Sequence, residues 1–114
     1  MAADDALQPR QFGPGGKYTT QTGGRYNYIE AVHTKSGRRI GAMNWFPGSK
    51  EGIPHVQGSP DPYKPGIFKV VVSRPMRRKG VASAMLEHAR EIAPGLQHST
   101  VLSDEGRAWA EARP

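Results

Sequence analysis

The sequence contains no cysteine among its 114 residues, which excludes a disulfide-stabilised scaffold, a thiolate zinc site and a cysteine nucleophile. It also contains no apolar run long enough to cross a bilayer. Residues 1–5 are small and acidic, so the chain does not open with the basic and then apolar segments of a secretory signal. We therefore expect a cytoplasmic protein that does not contact a membrane.

Hydrophobic residues are also scarce, at 36% of the chain, whereas glycine and proline are abundant, at 14 and 10 residues. A chain of this length suits a single domain with a small core and sizeable irregular segments. Sixteen basic residues against ten acidic ones give a formal net charge of +6. Such a balance favours anionic partners, namely the phosphates of a cofactor, a nucleic acid or an acidic protein surface, without choosing among them.

The first half of the chain predicts an arm followed by a hairpin. Residues 1–24 are expected to form a flexible N-terminal arm, because prolines and glycines interrupt any period and few apolar residues are available for burial. The single domain then spans residues 25–114. Residues 26–33 and 38–46 predict two strands of an antiparallel hairpin. Residues 47–66 are rich in proline and glycine and predict a loop that is either a binding loop or disordered.

The second half of the chain shows the clearest periodic signals. Residues 67–72 predict a strong strand, followed by an amphipathic helix that runs to about residue 93. Residues 97–102 predict a short strand, and Ser103 is a suitable N-cap for a final helix that ends near residue 112. The expected fold class is therefore α+β or α/β, a mixed sheet in which the antiparallel hairpin is followed by a strand, a helix, a parallel strand and a helix.

The junction between the strong strand and its helix carries a candidate anion site. A helix N-terminus presents unpaired backbone N–H groups and the positive end of the helix dipole, so it attracts phosphate. Gly80 lets an anion approach the backbone because it has no Cβ, and the small Ala82 keeps the next turn clear. Arg77, Arg78 and Lys79 add positive charge, and arginine suits bidentate contacts with phosphate.

The segment from Val72 to Ala82 resembles the acetyl-CoA-binding signature of the GNAT acetyltransferase superfamily. In that family a strand ending in valine leads, five residues on, into the pattern R/Q-x-x-G-x-G/A, and the spacing from Val72 to Arg77 and Gly80 matches it. The resemblance covers mainly residues 67–112. It implies a small GNAT-like core with acetyl-CoA as the acyl donor.

The same resemblance implies which residues hold the coenzyme. In the family, the amides of this loop bind the pyrophosphate, and a bulge in the preceding strand, expected here near residues 70–72, exposes backbone to the pantetheine. The implied cofactor-binding residues are Val70, Val72, Arg77, Arg78, Lys79, Gly80, Val81, Ala82 and Ser83.

Three features depart from the family pattern. The family usually begins with a strand and two helices that shape the acceptor pocket, which residues 1–24 do not supply. It usually continues with two more strands after the last helix, where this sequence stops at Pro114. A tyrosine that often protonates the leaving thiolate falls here on Ala110, beside Trp109. These departures leave open whether the chain is an active enzyme.

Candidate catalytic groups are few. We select Glu30, on the first strand of the hairpin, and His98, at the start of the last predicted strand. Each competes with a surface interpretation, because half-exposed strands and loops carry such residues for solubility. The four histidines show no metal-ligand spacing, so no metal is expected, and His88 is expected at the helix surface. Further candidate bases are His33, His55 and Asp61. The aromatic residues expected in the core or at an interface are Tyr26, Tyr28, Trp45 and Trp109.

Three functions remain open. The first is a minimal N-acetyltransferase in which an amine, such as a protein lysine, attacks acetyl-CoA directly while backbone N–H groups polarise the carbonyl. A homodimer partner, the 47–66 loop or a large acceptor would then replace the missing pocket elements. The second is a GNAT-like interaction protein that performs no transfer. The third is a nucleic-acid-binding accessory protein that uses the basic arm, the basic residues at 35–39 and the cluster at 74–79.

Overall fold

The computed structural model describes residues 4–52, 61–99 and 104–114. Short 3-10 turns at Pro14–Gly16 and Arg74–Met76 precede the second strand and the second helix. Within the described residues the helices and strands follow in the order α1 (Asp4–Leu7), β1 (Arg10–Phe12), β2 (Tyr18–Gln21), β3 (Tyr28–His33), β4 (Arg39–Phe46), β5 (Gly66–Val72), α2 (Val81–Ile92) and α3 (Asp104–Ala112).

In the described part of the chain, five strands form one antiparallel sheet in sequential order, β1-β2-β3-β4-β5. β3 and β4 form the predicted hairpin, in which Ile29 lies opposite Met43. β4 pairs on its other side with β5, where Ala42 lies opposite Val71. The strand that precedes the candidate anion loop is therefore the last strand of this sheet.

The helix α2 covers one face of the sheet with the apolar stripe that its sequence predicts. Val81, Met85 and Ala89 are buried along one side of α2 at intervals of four residues. Gly41 on β4 lies directly beneath Val81 and Met85, because a Cβ built there would approach Met85 Cε to 3.1 Å and Val81 Cγ1 to 3.2 Å. This close contact holds the first turns of α2 against β4, next to the edge of the sheet that β5 forms.

Residues 4–21 differ from the predicted flexible arm. β1 and β2 pair with each other, and β2 extends the sheet by pairing with β3, with Thr20 opposite Ala31. α1 is held against α2, because the imidazole Nε2 of His88 donates to the carbonyl oxygen of Ala6 at 2.7 Å. Arg10 also forms an ion pair with Glu91 of α2. These partners are distant in sequence, so the local content of glycine and proline does not reveal them.

Side-chain burial corrects two expectations. His88 is only 1% exposed rather than at the surface, since its two ring nitrogens contact Ala6 and Thr20. Tyr26 precedes β3 and is 98% exposed, whereas Tyr28 is buried in the core as expected. Asn27 between them has a φ of 53°, a left-handed conformation that is incompatible with a strand. The predicted first strand therefore begins two residues later than expected.

The bulge in β5 lies outside the expected segment. The pairing of β4 with β5 shifts in register between Asn44 and Trp45, which leaves Phe68 as the extra residue on β5. The prediction of a bulge near residues 70–72 is therefore wrong by a few residues. The spacing of the motif shows where β5 ends but not where its pairing with β4 slips.

Of the predicted parallel strand over residues 97–102, the described residues contain a single parallel bridge between Gly66 and Gln97, and residues 98 and 99 are irregular. Residues 100–103, which include the predicted N-cap Ser103, lie outside the described residues. Among the helices of the described segments, none is long and apolar enough to cross a bilayer.

Candidate functional site

An open cleft of about 1300 Å³ lies between β5, the N-terminus of α2 and α3, large enough for an extended ligand. β5 is the edge strand of the sheet, and within the described residues its outer edge is paired only through the bridge from Gly66 to Gln97. The described lining consists of Ile67, Phe68, Lys69, Val70, Val71, Val72, Met76, Arg77, Arg78, Gly80, Val81, Ala82, Ser83, Ser99, Gly106, Ala108, Trp109 and Arg113.

The loop between β5 and α2 has an unusual backbone. Arg77 is extended, and its Nε donates to the carbonyl oxygen of Val72 at 3.2 Å, which ties the loop to the end of β5. Arg78, with φ 64°, and Gly80, with φ 80°, both adopt the left-handed conformation. A left-handed residue other than glycine costs on the order of 1 kcal/mol, and such strain concentrates at binding sites.

Glycine at position 80 is favoured by the left-handed backbone conformation and not by crowding within the protein. A Cβ built on Gly80 would meet no atom within 4 Å, so the space beside its backbone is open. The first hydrogen bond of α2 joins the amide of Ala84 to the carbonyl of Gly80 at 3.0 Å. The preceding amides of Val81, Ala82 and Ser83 therefore have no helix carbonyl available to them and suit an anion.

The described lining of the cleft is positively charged. It contains Lys69, Arg77, Arg78 and Arg113, and no aspartate or glutamate occurs among the described residues of the lining. The N-terminus of α2 adds the positive end of a helix dipole to these cations. The cleft therefore favours a ligand that carries several negative charges.

The C-terminal helix docks on the first turn of α2 through one hydroxyl group. Ser83 Oγ accepts hydrogen bonds from Trp109 Nε1 at 3.1 Å and from Arg113 Nε at 3.0 Å. The ring of His98 stands edge-on to the indole of Trp109, with centroids 4.9 Å apart, and its Nε2 donates to the carbonyl oxygen of Arg113 at 2.6 Å. Because a carbonyl only accepts, Nδ1 is the basic atom of a neutral His98.

The structure brings the predicted cofactor-binding residues to one cleft, with a single exception. Lys79 is exposed and does not belong to the described lining. The predicted residues that do line the cleft are Val70, Val72, Arg77, Arg78, Gly80, Val81, Ala82 and Ser83.

The two predicted catalytic residues do not lie together. His98 is next to Ser99, which lines the cleft, whereas Glu30 lies on β3, two strands from β5. Glu30 accepts hydrogen bonds from Gln21 Nε2 at 3.1 Å and from the hydroxyl of Tyr28 at 3.0 Å. These donors hold the carboxylate in a polar network on the sheet, away from the described lining.

His33 and Asp61 also lie apart from the described lining of the cleft. The ring of His33 packs against Tyr18, with centroids 5.4 Å apart. The carboxylate of Asp61 accepts from the amide of Tyr63 at 3.0 Å and so stabilises a turn. His55 lies outside the described residues.

Trp109 and Arg113 are among the lining residues of the cleft that were not predicted as site residues. Their separation of four places puts both side chains on one face of a helical segment, which is the only local signal that links them. Their shared acceptor, Ser83, lies 26 and 30 residues earlier in the chain. Only the docking of α3 brings the three together.

The acetyltransferase (GNAT) family model matches residues 11–110 of the sequence. The chain belongs to the GNAT acetyltransferase family. The match begins in β1 and ends in α3, so it includes the N-terminal strands that the loop motif alone does not reach. Among curated proteins, none matches the sequence.

Two solved structures share the fold of this GNAT chain. An aminoglycoside antibiotic 6′-N-acetyltransferase from Acinetobacter haemolyticus has a TM-score of 0.54 at 14% identity, covering 77% of this chain and 62% of that one. An aminoglycoside acetyltransferase from an uncultured soil metagenomic sample has a TM-score of 0.51 at 16% identity, with coverages of 78% and 57%. The predicted GNAT-like α+β fold is confirmed. This GNAT chain spans less than two thirds of the length of either structure.

Proposed function

We propose that this GNAT family member binds acetyl-CoA in the cleft and transfers the acetyl group to an amine. The observation that carries the proposal is the loop with left-handed Arg78 and Gly80, which leads the N-terminus of α2 into a basic cleft along β5. The family match over residues 11–110 supports acyl transfer as the reaction class.

The residues of the loop fit the phosphates of CoA by their donor chemistry. The amides of residues 81–83 supply N–H donors, and the open space beside Gly80 admits an anion to the backbone. Arg77, Arg78 and Lys79 supply positive charge. Residues 70–72 of β5 are proposed to contact the pantetheine arm, because they line the cleft on the edge strand.

CoA supplies the acetyl thioester for the proposed transfer, in which a C–N bond forms, the C–S bond breaks and the proton lost by the amine ends on the sulfur. Backbone N–H groups at the edge of β5 are proposed to polarise the acyl oxygen. His98 and Glu30 are the proposed proton acceptors. His98 is the better placed of the two, because its neighbour Ser99 lines the cleft while Glu30 lies two strands away.

The acceptor is proposed to be an amine on a large molecule, such as a lysine of a protein. The cleft is an open groove, so it can receive an amine that projects from a larger surface. The two structural relatives are named for aminoglycosides. At sequence identities of 14% and 16%, the similarity establishes a shared fold but not a shared acceptor. A second copy of the chain or residues 47–66 could also complete an acceptor pocket.

A second candidate function is coenzyme binding without transfer. The sequence of α3, DEGRAWAEA, contains no tyrosine, and the position at which the family often carries a proton donor is Ala110. The adjacent Trp109 already donates its indole N–H to Ser83. A chain without a donor for the leaving thiolate could retain the coenzyme as part of an interaction surface.

Calorimetric titration with CoA and acetyl-CoA tests the binding step. Gly80→Glu places a carboxylate in the open space beside the loop and is expected to abolish measurable binding. Gly37→Glu is a matched control, because Gly37 also has a positive φ, 74°, and a Cβ there would also meet no atom within 4 Å. Gly37 lies in the turn between β3 and β4, so this variant should bind as the wild type does. A wild-type protein that binds neither ligand contradicts the proposal.

Mass spectrometry of lysine-containing proteins incubated with acetyl-CoA tests the transfer step. Acetylated amines that require the protein and disappear in Gly80→Glu support an active transferase. Coenzyme binding with no modified amine favours the second candidate function. Nucleic-acid binding that falls steeply with salt, in a protein that does not bind CoA, favours the nucleic-acid function instead.

A further inference from the structure

Arg113 is held at the wall of the cleft by three hydrogen bonds. Its backbone N–H donates to the carbonyl of Trp109 at 3.0 Å, and its own carbonyl accepts from Nε2 of His98 at 2.6 Å. Its side-chain Nε donates to Ser83 Oγ at 3.0 Å. Contacts within the protein therefore position both the backbone of Arg113 and the Nε end of its guanidinium.

The hydroxyl group of Ser83 is available as a hydrogen-bond donor in this arrangement. A hydroxyl oxygen offers two lone pairs, and the N–H groups of Trp109 and Arg113 occupy both of them. The O–H of Ser83 therefore acts as a donor, in the first turn of α2 and in the lining of the cleft. The bond from Arg113 uses one of five guanidinium N–H groups, and the other four are carried by the two Nη atoms.

We infer that Arg113 and Ser83 form a second phosphate-binding element of the cleft, additional to the loop at residues 77–80. The inference rests on the proposed coenzyme site, since the phosphate is one of those of CoA. The C-terminal segment delivers a positive charge to the first turn of α2 from 30 positions further along the chain. No carboxylate in the described lining competes for that guanidinium.

This assignment gives the docking of α3 a function besides packing. Trp109 and His98 act as positioning residues, because the indole N–H shares the Ser83 hydroxyl and the imidazole holds the backbone of Arg113. Ligand phosphates and α3 are then coupled through Ser83. Coenzyme binding is expected to stabilise the contact between α3 and α2.

The test compares Arg113→Gln with the matched variant Arg107→Gln in titrations with CoA, dephospho-CoA and pantetheine. Arg107 is an exposed arginine of α3 outside the described lining. Loss of a charge-assisted phosphate contact should weaken CoA binding by Arg113→Gln about tenfold, while pantetheine, which has no phosphate, should bind as tightly as before. Arg107→Gln should bind all three ligands as the wild type does.

Dephospho-CoA lacks the 3′-phosphate and therefore distinguishes a contact with that group from a contact with the pyrophosphate. An equal loss with CoA and dephospho-CoA assigns Arg113 to the pyrophosphate, and a loss with CoA alone assigns it to the 3′-phosphate. Arg113→Lys keeps the charge without the Nε contact and should recover part of the affinity, which also guards against a folding defect in Arg113→Gln.

Three outcomes overturn the inference. Equal weakening of pantetheine and CoA would show that Arg113 only supports the cleft. Unchanged CoA affinity in Arg113→Gln, with clear binding by the wild type, would remove Arg113 from the site and leave the proposed function standing. Absence of CoA binding by the wild type would overturn the proposed function and this inference together.

Discussion

The imidazole Nε2 of His88 lies 2.7 Å from the carbonyl oxygen of Ala6, and this hydrogen bond joins residues 82 positions apart in the chain. Nδ1 of the same ring lies 2.9 Å from the hydroxyl of Thr20. Because the carbonyl oxygen only accepts hydrogen bonds, a neutral His88 donates from Nε2 and accepts a hydrogen bond from the Thr20 hydroxyl at Nδ1. A single buried imidazole therefore holds both α1 and β2 against α2.

Acidification is expected to destabilise the protein through His88. Burial lowers the pKa of His88 below its ordinary value of 6.5; the bond to the Ala6 carbonyl opposes this effect and the charge of Arg10 adds to it. The unfolded chain therefore takes up a proton at a higher pH than the folded protein does. The stability contributed by His88 is complete above pH 6.5 and is lost as the pH falls through the lower folded-state pKa. Urea unfolding at several pH values across this window measures the loss.

His88→Gln removes the titrating group and should flatten the dependence of unfolding free energy on pH over that window. His33→Gln is the matched substitution on β3; it keeps His88 and should therefore keep the contribution of His88 to that dependence. An unchanged slope in His88→Gln would contradict the assignment. Both variants keep the charged residues of the surrounding elements, which include Asp5, Arg10, Glu87, Arg90 and Glu91.

Arg78→Gly is expected to weaken ligand binding with little change in folding stability. Glycine relieves the left-handed backbone at φ 64° but gains freedom in the unfolded chain. These effects oppose each other, so the unfolding free energy should change by less than about 1 kcal/mol. Loss of the guanidinium should weaken CoA binding roughly fivefold, as measured by calorimetry.

Lys79→Gly is the matched control for backbone freedom, because Lys79 does not have a positive φ. It should lower the unfolding free energy by about 0.5–1 kcal/mol, since glycine gains entropy there with no strain to relieve. A larger loss of stability in Arg78→Gly than in Lys79→Gly would show that the left-handed arginine is not strained.

Gly41→Ala is expected to destabilise the contact between α2 and the sheet. The new methyl group would lie 3.1 Å from Met85 Cε and 3.2 Å from both the carbonyl oxygen of Val71 and Val81 Cγ1. Overpacking of this kind costs about 1–3 kcal/mol, which urea unfolding measures. Because Val71 and Val81 also line the cleft, CoA affinity should fall as well.

Ala42→Ser provides the comparison for Gly41→Ala, since successive residues of a strand point to opposite faces and Ala42 does not face α2. Its unfolding free energy should stay within about 0.5 kcal/mol of the wild type. If Gly41→Ala proves equally stable, the helix is less tightly seated on β4 than the structure indicates.

The elements that the sequence predicts well are those whose signal lies within one short segment. The stripe of Val81, Met85 and Ala89 in α2 follows from a spacing of four residues, and the hairpin follows from two β-rich runs around a turn. The loop at residues 77–80 is equally local, because a glycine with a left-handed φ and a helix start occupy adjacent positions. The family motif could therefore be read without knowing any contact between distant residues.

Tertiary structure alone decides the features that join distant segments. β2 is stabilised by pairing with β3, and β1 by pairing with β2. His88 is buried because Ala6 and Thr20 pack against it. The bulge at Phe68 depends on how β5 pairs with β4.

The candidate site shows the same division. The sequence by itself determines the candidate anion loop from Arg77 to Gly80, whose proposed donors are backbone groups and side chains of consecutive residues. The contribution of Arg113 is decided only by the docking of α3, since Ser83 lies 30 positions earlier in the chain. Spacing along the chain specifies which residues share one helix or strand, whereas packing between elements specifies which residues meet across the cleft.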